Sequence, residues 1–161
     1  MQAEQLTEQI MHQIDQAAPL YYRLILVVAP SGAGKTAVLQ EIAKRTGFRY
    51  INVNLELSRQ LLDLTERQRT LQASRVLSDI VGKGDEQAVL LDNTEVLFDV
   101  SLKQDPLRCL QGLSRHRTVV AAWNGSVEHR YLIYAAPDHP EYRRYPAGDL
   151  LVVSPPAPVE S

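Results

Sequence analysis

The chain has 161 residues, 45% of them hydrophobic, with 17 Lys+Arg against 19 Asp+Glu and a net charge of −2. That length suits one domain with a core of its own, needing neither disulfides nor structural metal. The charge balance excludes coating nucleic acid by bulk charge, and the single cysteine, Cys109, excludes a disulfide framework or a cysteine-based zinc site within the chain.

No apolar run reaches the ~20 residues of a membrane span, and the Gln/Glu-rich start lacks the basic-then-apolar order of a signal peptide. A cytoplasmic protein without a membrane partner is expected. Thirteen of the 17 cations are arginine, which leaves a local basic patch open.

Leu6, Ile10, Ile14 and Ala17 recur at helical spacing, which predicts an amphipathic helix within residues 1–18 that packs on the core and ends before Pro19. LILVV at 24–28 is an uninterrupted apolar run of strand length, as in a parallel strand covered on both faces. Residues 34–45 read as a helix stopped by Gly47, and 48–53 as a strand. A helix is expected over 58–81, its inner face formed by Leu61, Leu62, Leu64, Leu71, Val76, Leu77 and Ile80.

AVLLD at 88–92 predicts the next strand, with a short helical stretch at 94–98. Asp105 followed by Pro106 is an N-cap and a first-turn proline opening a helix to about 115. TVVAAW at 118–123, residues 131–135 and LLVV at 150–153 read as further strands, and 137–146 as a loop. Residues 154–161, with three prolines, are expected to be a disordered tail. Strands alternating with helices predict an α/β fold with a mainly parallel five-stranded sheet over residues 19–153.

The first strand runs directly into Ala29-Pro30-Ser31-Gly32-Ala33-Gly34-Lys35-Thr36-Ala37. This matches G-x-x-x-x-G-K-[ST] with alanine in the first glycine position. Small residues let backbone N–H groups turn inward around a phosphate at the positive end of a helix. Lys35 would bridge the outer phosphates of ATP, and the Thr36 hydroxyl would ligate Mg²⁺.

Asp92 closes an apolar strand at the edge where ligands of open α/β sheets collect, and would hold Mg²⁺ through a water. The residue after it is Asn93, which cannot accept a proton. Glu95, two residues further on, and Glu56, whose place just past the second strand resembles that of the catalytic glutamate of RecA-like ATPases, are the candidates for orienting an attacking water. Asn124, at the end of the fourth strand, resembles the strand-end polar residue that in AAA+ proteins touches the γ-phosphate or the attacking water; as part of Asn-Gly it also suits a plain turn. Arg143 and Arg144, between tyrosines, suit a solvated or partner-binding basic turn or stacking on bases; their place just before the last strand also resembles that of the arginine AAA+ proteins offer to a neighbouring subunit.

The phosphate loop, LLDNTE and the strand-end Asn resemble the AAA+ core, without the helical lid domain. APSGAGKT, YINVNLELSRQLLDL, LLDNTEVLF and HPEYRRY together resemble the BrxF family, the small P-loop proteins of type-3 BREX phage-defence systems. That resemblance implies a bacterial component working with a methyltransferase, a phosphatase-like protein and a larger ATPase. It leaves open self-association, and DNA contact through partners or the arginine patch. Two other readings stand beside it: a nucleotide-gated subunit without turnover, and a small-molecule kinase.

Overall fold

The computed structural model describes residues 2–82 and 84–155. Five parallel strands form one sheet in the order β2-β3-β4-β1-β8: β1 (Leu24–Ala29), β2 (Arg49–Asn52), β3 (Ala88–Asp92), β4 (Thr118–Asn124) and β8 (Leu151–Val153). Successive side chains of a strand point to opposite faces, and here both faces are covered. Ile25, Val27, Leu90 and Val120 pack under α1 (Gln2–Ala17) and α2 (Lys35–Thr46). Leu24, Leu26, Val28, Val89 and Leu91 face the opposite way, onto α3 (Val53–Leu61), α4 (Glu66–Gly82) and α5 (Pro106–Leu113). The unbroken LILVV run is the consequence, because every position of β1 is buried.

Helix α1 docks through the predicted positions: Leu6, Ile10, Ile14 and Ala17 are buried. Gly47 closes α2 in the left-handed conformation, and Asp105 caps α5 by accepting from the Arg108 N–H at 3.1 Å.

The expected helix over 58–81 is in fact two. Helix α3 starts earlier, with Asn52 as its cap, and ends at Leu61; α4 begins at Glu66. The break is a capping box. The Thr65 hydroxyl accepts from the Gln68 N–H, while the Gln68 side chain accepts from the Thr65 N–H at 2.9 Å. Arg69 then binds the freed carbonyls of Leu61, Leu62 and Leu64. The resulting change of phase turns Leu62 and Leu71 out to solvent, at 70% and 68% exposure, whereas Leu61, Val76, Leu77 and Ile80 are buried as expected.

Between β4 and β8 the expected strand at 131–135 is present as β6 (Tyr131–Tyr134), but the loop expected at 137–146 runs only to 142: β5 (Ser126–Glu128), β6 and β7 (Arg143–Pro146) form a separate antiparallel sheet. Arg143 and Arg144 therefore lie on a strand rather than in a loop. Gly125 is where the chain passes from one sheet to the other. A side chain there would run into the Ile133 carbonyl, which accepts from the Trp123 indole N–H at 3.2 Å. Ser154 and Pro155 carry no regular structure, and the rest of the expected tail lies outside the described residues. Among the described residues, no helix is long and apolar enough to cross a membrane.

Candidate functional site

Strand register brings the polar residues to one edge of the sheet. Ala29 pairs with Asn124 and Asn52 with Asp92, so β1, β2, β3 and β4 end together. The loop after β1 turns through Gly32 and Gly34, at φ +82° and +93°, and α2 starts at Lys35. Only glycine adopts that backbone readily, which explains Gly34, the second glycine position of the motif, and the glycine at 32, where the motif leaves the residue free.

Lys35 is 7% exposed. Its Nζ donates to the carbonyls of Ala29 at 2.7 Å and Pro30 at 2.8 Å. Burial lowers its pKa from the ordinary 10.5, opposed by the nearby carboxylates of Glu95 and Asp92. The result is a desolvated ammonium facing two acids, a suitable counter-charge for a polyphosphate.

Asp92 is buried, and its carboxylate is held from three sides. Oδ2 accepts from the Thr36 hydroxyl at 2.6 Å and from the Tyr50 hydroxyl at 2.6 Å; Oδ1 accepts from the Asn93 N–H at 2.9 Å. Asn93 takes a left-handed conformation, φ +54°, to start the 3₁₀ turn Thr94–Phe98. The buried Thr94 hydroxyl anchors that turn to the Ala122 carbonyl of β4 at 2.5 Å. The anchoring presents Glu95 to Asn124, whose side-chain amide donates to the Glu95 carboxylate.

These groups line one cavity of about 430 Å³, which takes in Ser31, Gly32, Gly34, Lys35, Thr36, Ala37, Asp92, Glu95 and Asn124. Of the predicted loop residues, Ala29 and Pro30 act through the carbonyls that hold Lys35. Ala33 stays in the turn, its N–H donating to the Pro30 carbonyl at 3.2 Å. A larger cavity of about 520 Å³ adjoins at Ser31 and Asn124, with further walls from Ser126, Tyr134 and Glu141. Among the described residues no lysine or arginine lines it, so the smaller cavity is the one suited to a phosphate.

The structure does not bring Glu56, Arg143 or Arg144 to this cavity. Glu56 pairs with Arg59 at 3.5 Å beside a separate cavity. Arg143 donates to the Gln104 carbonyl at 2.9 Å, and Arg144 lies 3.8 Å over the Tyr131 ring.

Two lining or supporting residues escaped the sequence reading. Gln40 lines the cavity and stands four residues after Thr36, one helical turn along α2, so helix period alone points to it. Tyr50 had no such signal, since only the pairing of β2 with β3 brings it to Asp92. Burial chiefly, and the Asp92 carboxylate next, push the Tyr50 phenol well above its ordinary 10.0, so it remains a donor throughout the neutral range.

The residues fit a divalent cation. Having donated its proton to Asp92, the Thr36 hydroxyl keeps its lone pairs for a metal, and the neighbouring donors are the hard oxygens that Mg²⁺ selects.

No protein-family model matches the chain, and no curated protein matches it either. Among solved structures it is similar to PCH-2 of C. elegans, with 16% identity and a TM-score of 0.40. The match covers 94% of this chain and 41% of that one, so the chain spans less than half the length of that protein.

Proposed function

We propose that the chain is a P-loop nucleotide-binding protein, with an AAA+-like arrangement of its site, that takes ATP with Mg²⁺ and hydrolyses it. The observation that carries this reading is the convergence of Lys35 and Thr36, Asp92 and Glu95, and Asn124 on one cavity at the ends of β1, β3 and β4. Three distant segments supply a cation, a hydroxyl, two carboxylates and an amide, each suited to a different part of a metal triphosphate. Backbone N–H groups at the start of α2 and the Lys35 ammonium would hold the phosphates. Thr36 and Asp92 would hold Mg²⁺, which when bound neutralises phosphate charge. Glu95 is a base within reach of a water at the γ end, and Asn124 orients it.

The biological setting is proposed from the sequence resemblance alone. By size and motif order, the chain acts as a component of a type-3 BREX phage-defence system. Its partners there are a methyltransferase, a phosphatase-like protein and a larger ATPase, and self-association would offer Arg143 or Arg144 to a neighbouring subunit's γ-phosphate. A second reading, a nucleotide-gated subunit without turnover of its own, is favoured by two observations. Asn93 follows Asp92, and Glu95 is already engaged by Asn124. ATP binding and turnover by the purified chain, beside Lys35→Ala and over a protein concentration series, separate the two. Turnover lost in Lys35→Ala supports hydrolysis, binding without turnover at any concentration supports the gated subunit, and binding unaffected by Lys35→Ala overturns the site.

A further inference from the structure

We propose that Tyr50 is a positioning residue for the metal: by occupying Oδ2 of Asp92 together with Thr36, it directs that carboxylate to act on the cation through a water ligand at Oδ1. This rests on the nucleotide-and-metal reading above and deepens it.

The argument starts from acceptor capacity. An ionised carboxylate offers about four lone-pair positions. On Asp92, two hydroxyls at 2.6 Å each fill Oδ2, and the Asn93 N–H at 2.9 Å takes one position of Oδ1. One acceptor position remains, on Oδ1. A cation binding directly at Oδ2 would have to displace a hydroxyl donor. A water held by the cation can instead donate to Oδ1 with every existing bond intact. Thr36 is complementary: its single proton is spent on Asp92, so its lone pairs are the available direct ligand.

The fold explains why a tyrosine reaches this far. Tyr50 pairs with Leu90 and Asn52 with Asp92, so Tyr50, Leu90 and Asp92 share the sheet face covered by α2. The half-buried ring packs against the apolar side chains of that face, and its hydroxyl reaches the Asp92 carboxylate. Phenylalanine would fill the same space and leave one position of Oδ2 open. Tyr50 differs in this from a residue whose whole role is packing.

The test is calorimetry of a non-hydrolysable ATP analogue with the full chain, in EDTA and in Mg²⁺, for wild type, Tyr50→Phe, Asp92→Asn and the double variant. Affinity in EDTA is expected to agree within about twofold between wild type and Tyr50→Phe, which also reports an intact fold. The gain conferred by Mg²⁺ is expected to fall about tenfold in Tyr50→Phe, the order of one hydrogen bond to a charged group. Since Tyr50 acts through Asp92, the double variant should lose no more of that gain than Asp92→Asn alone. A full Mg²⁺ gain in Tyr50→Phe, or losses that add in the double variant, overturns the inference and leaves the nucleotide reading standing. A wild-type chain that binds no analogue, or binds it without a Mg²⁺ gain, overturns the metal-nucleotide reading and this inference with it.

Discussion

Asn124 donates its side-chain amide to the Glu95 carboxylate, joining the end of β4 to the 3₁₀ turn that follows β3. The bond sits on the rim of the Lys35 cavity and leaves one Glu95 oxygen uncommitted to Asn124. A base in that position needs its carboxylate for proton transfer, a contribution worth roughly 10²–10⁴ in rate. Glu95→Gln is therefore expected to lower ATP turnover at least about a hundredfold. Nucleotide affinity should stay close to wild type, because on the proposed reading the phosphate contacts come from Lys35 and the loop. A variant that hydrolyses ATP normally would transfer the role away from Glu95.

Lys35 carries the opposite expectation. Among the described residues its ammonium is the one cation lining the cavity, and it is already desolvated. Charge-assisted hydrogen bonds to phosphate contribute roughly 1.5–3 kcal/mol each. Lys35→Ala should weaken ATP binding by about a hundredfold or more, read by calorimetry in Mg²⁺. Lys35→Arg should fail to restore it, since a planar guanidinium cannot replace a compact ammonium held between the Ala29 and Pro30 carbonyls.

The α3–α4 break has a measurable price in stability. Thr65 and Gln68 satisfy each other's N–H groups at the start of α4. Thr65→Ala removes one half of that box and should cost about 1 kcal/mol, seen as a lower urea midpoint with an unchanged slope. An equal midpoint in the variant would show that tertiary packing alone holds the break.

That same box shows what was legible and what was not. Thr65-x-x-Gln68 is a start signal in plain view, but the apolar spacing on either side of it supports one continuous helix equally well. The central strands were readable because burial on both faces leaves unbroken apolar runs at β1, β3 and β4. β5 and β7 belong to a small sheet with exposed and half-buried positions, so no such run marks them. Within the site, Lys35, Thr36 and Asp92 follow from local motifs, whereas the Tyr50–Asp92 bond depends on a non-local pairing that no spacing rule contains.

Arg143 is held within its own chain by the Gln104 carbonyl, next to the Tyr145–Asp105 bond at 3.0 Å. Losing that charge-assisted bond in Arg143→Ala should cost about 1–2 kcal/mol of stability. Arg144 is exposed over Tyr131, so Arg144→Ala should cost under about 1 kcal/mol. If self-association places either arginine at a neighbour's γ-phosphate, the double variant should lose turnover only at concentrations where subunits assemble. Turnover per assembled subunit equal to wild type would restrict both residues to the intrachain roles seen here.

Alkaline stability should report on Tyr134. Its ring stacks on Phe98 at 3.5 Å between centroids, and burial first, then the Glu141 and Glu95 charges, push its hydroxyl from 10.0 up to about 12. For a group whose folded pKa is raised, the contribution is complete below the unfolded value and is lost as pH climbs through the folded one. Between pH 10 and about 12 the unfolded chain ionises first, so unfolding becomes easier. The loss attributable to Tyr134 is on the order of 1–2 kcal/mol, allowing for water reaching the hydroxyl. Tyr50 and Tyr145 are raised as well and add to the same slope. Tyr134→Phe keeps the ring stack and removes the proton, so its urea midpoint should fall less steeply than wild type above pH 10. Parallel pH curves for the two proteins would mean that the Tyr134 hydroxyl is as well solvated in the folded chain as in the unfolded one.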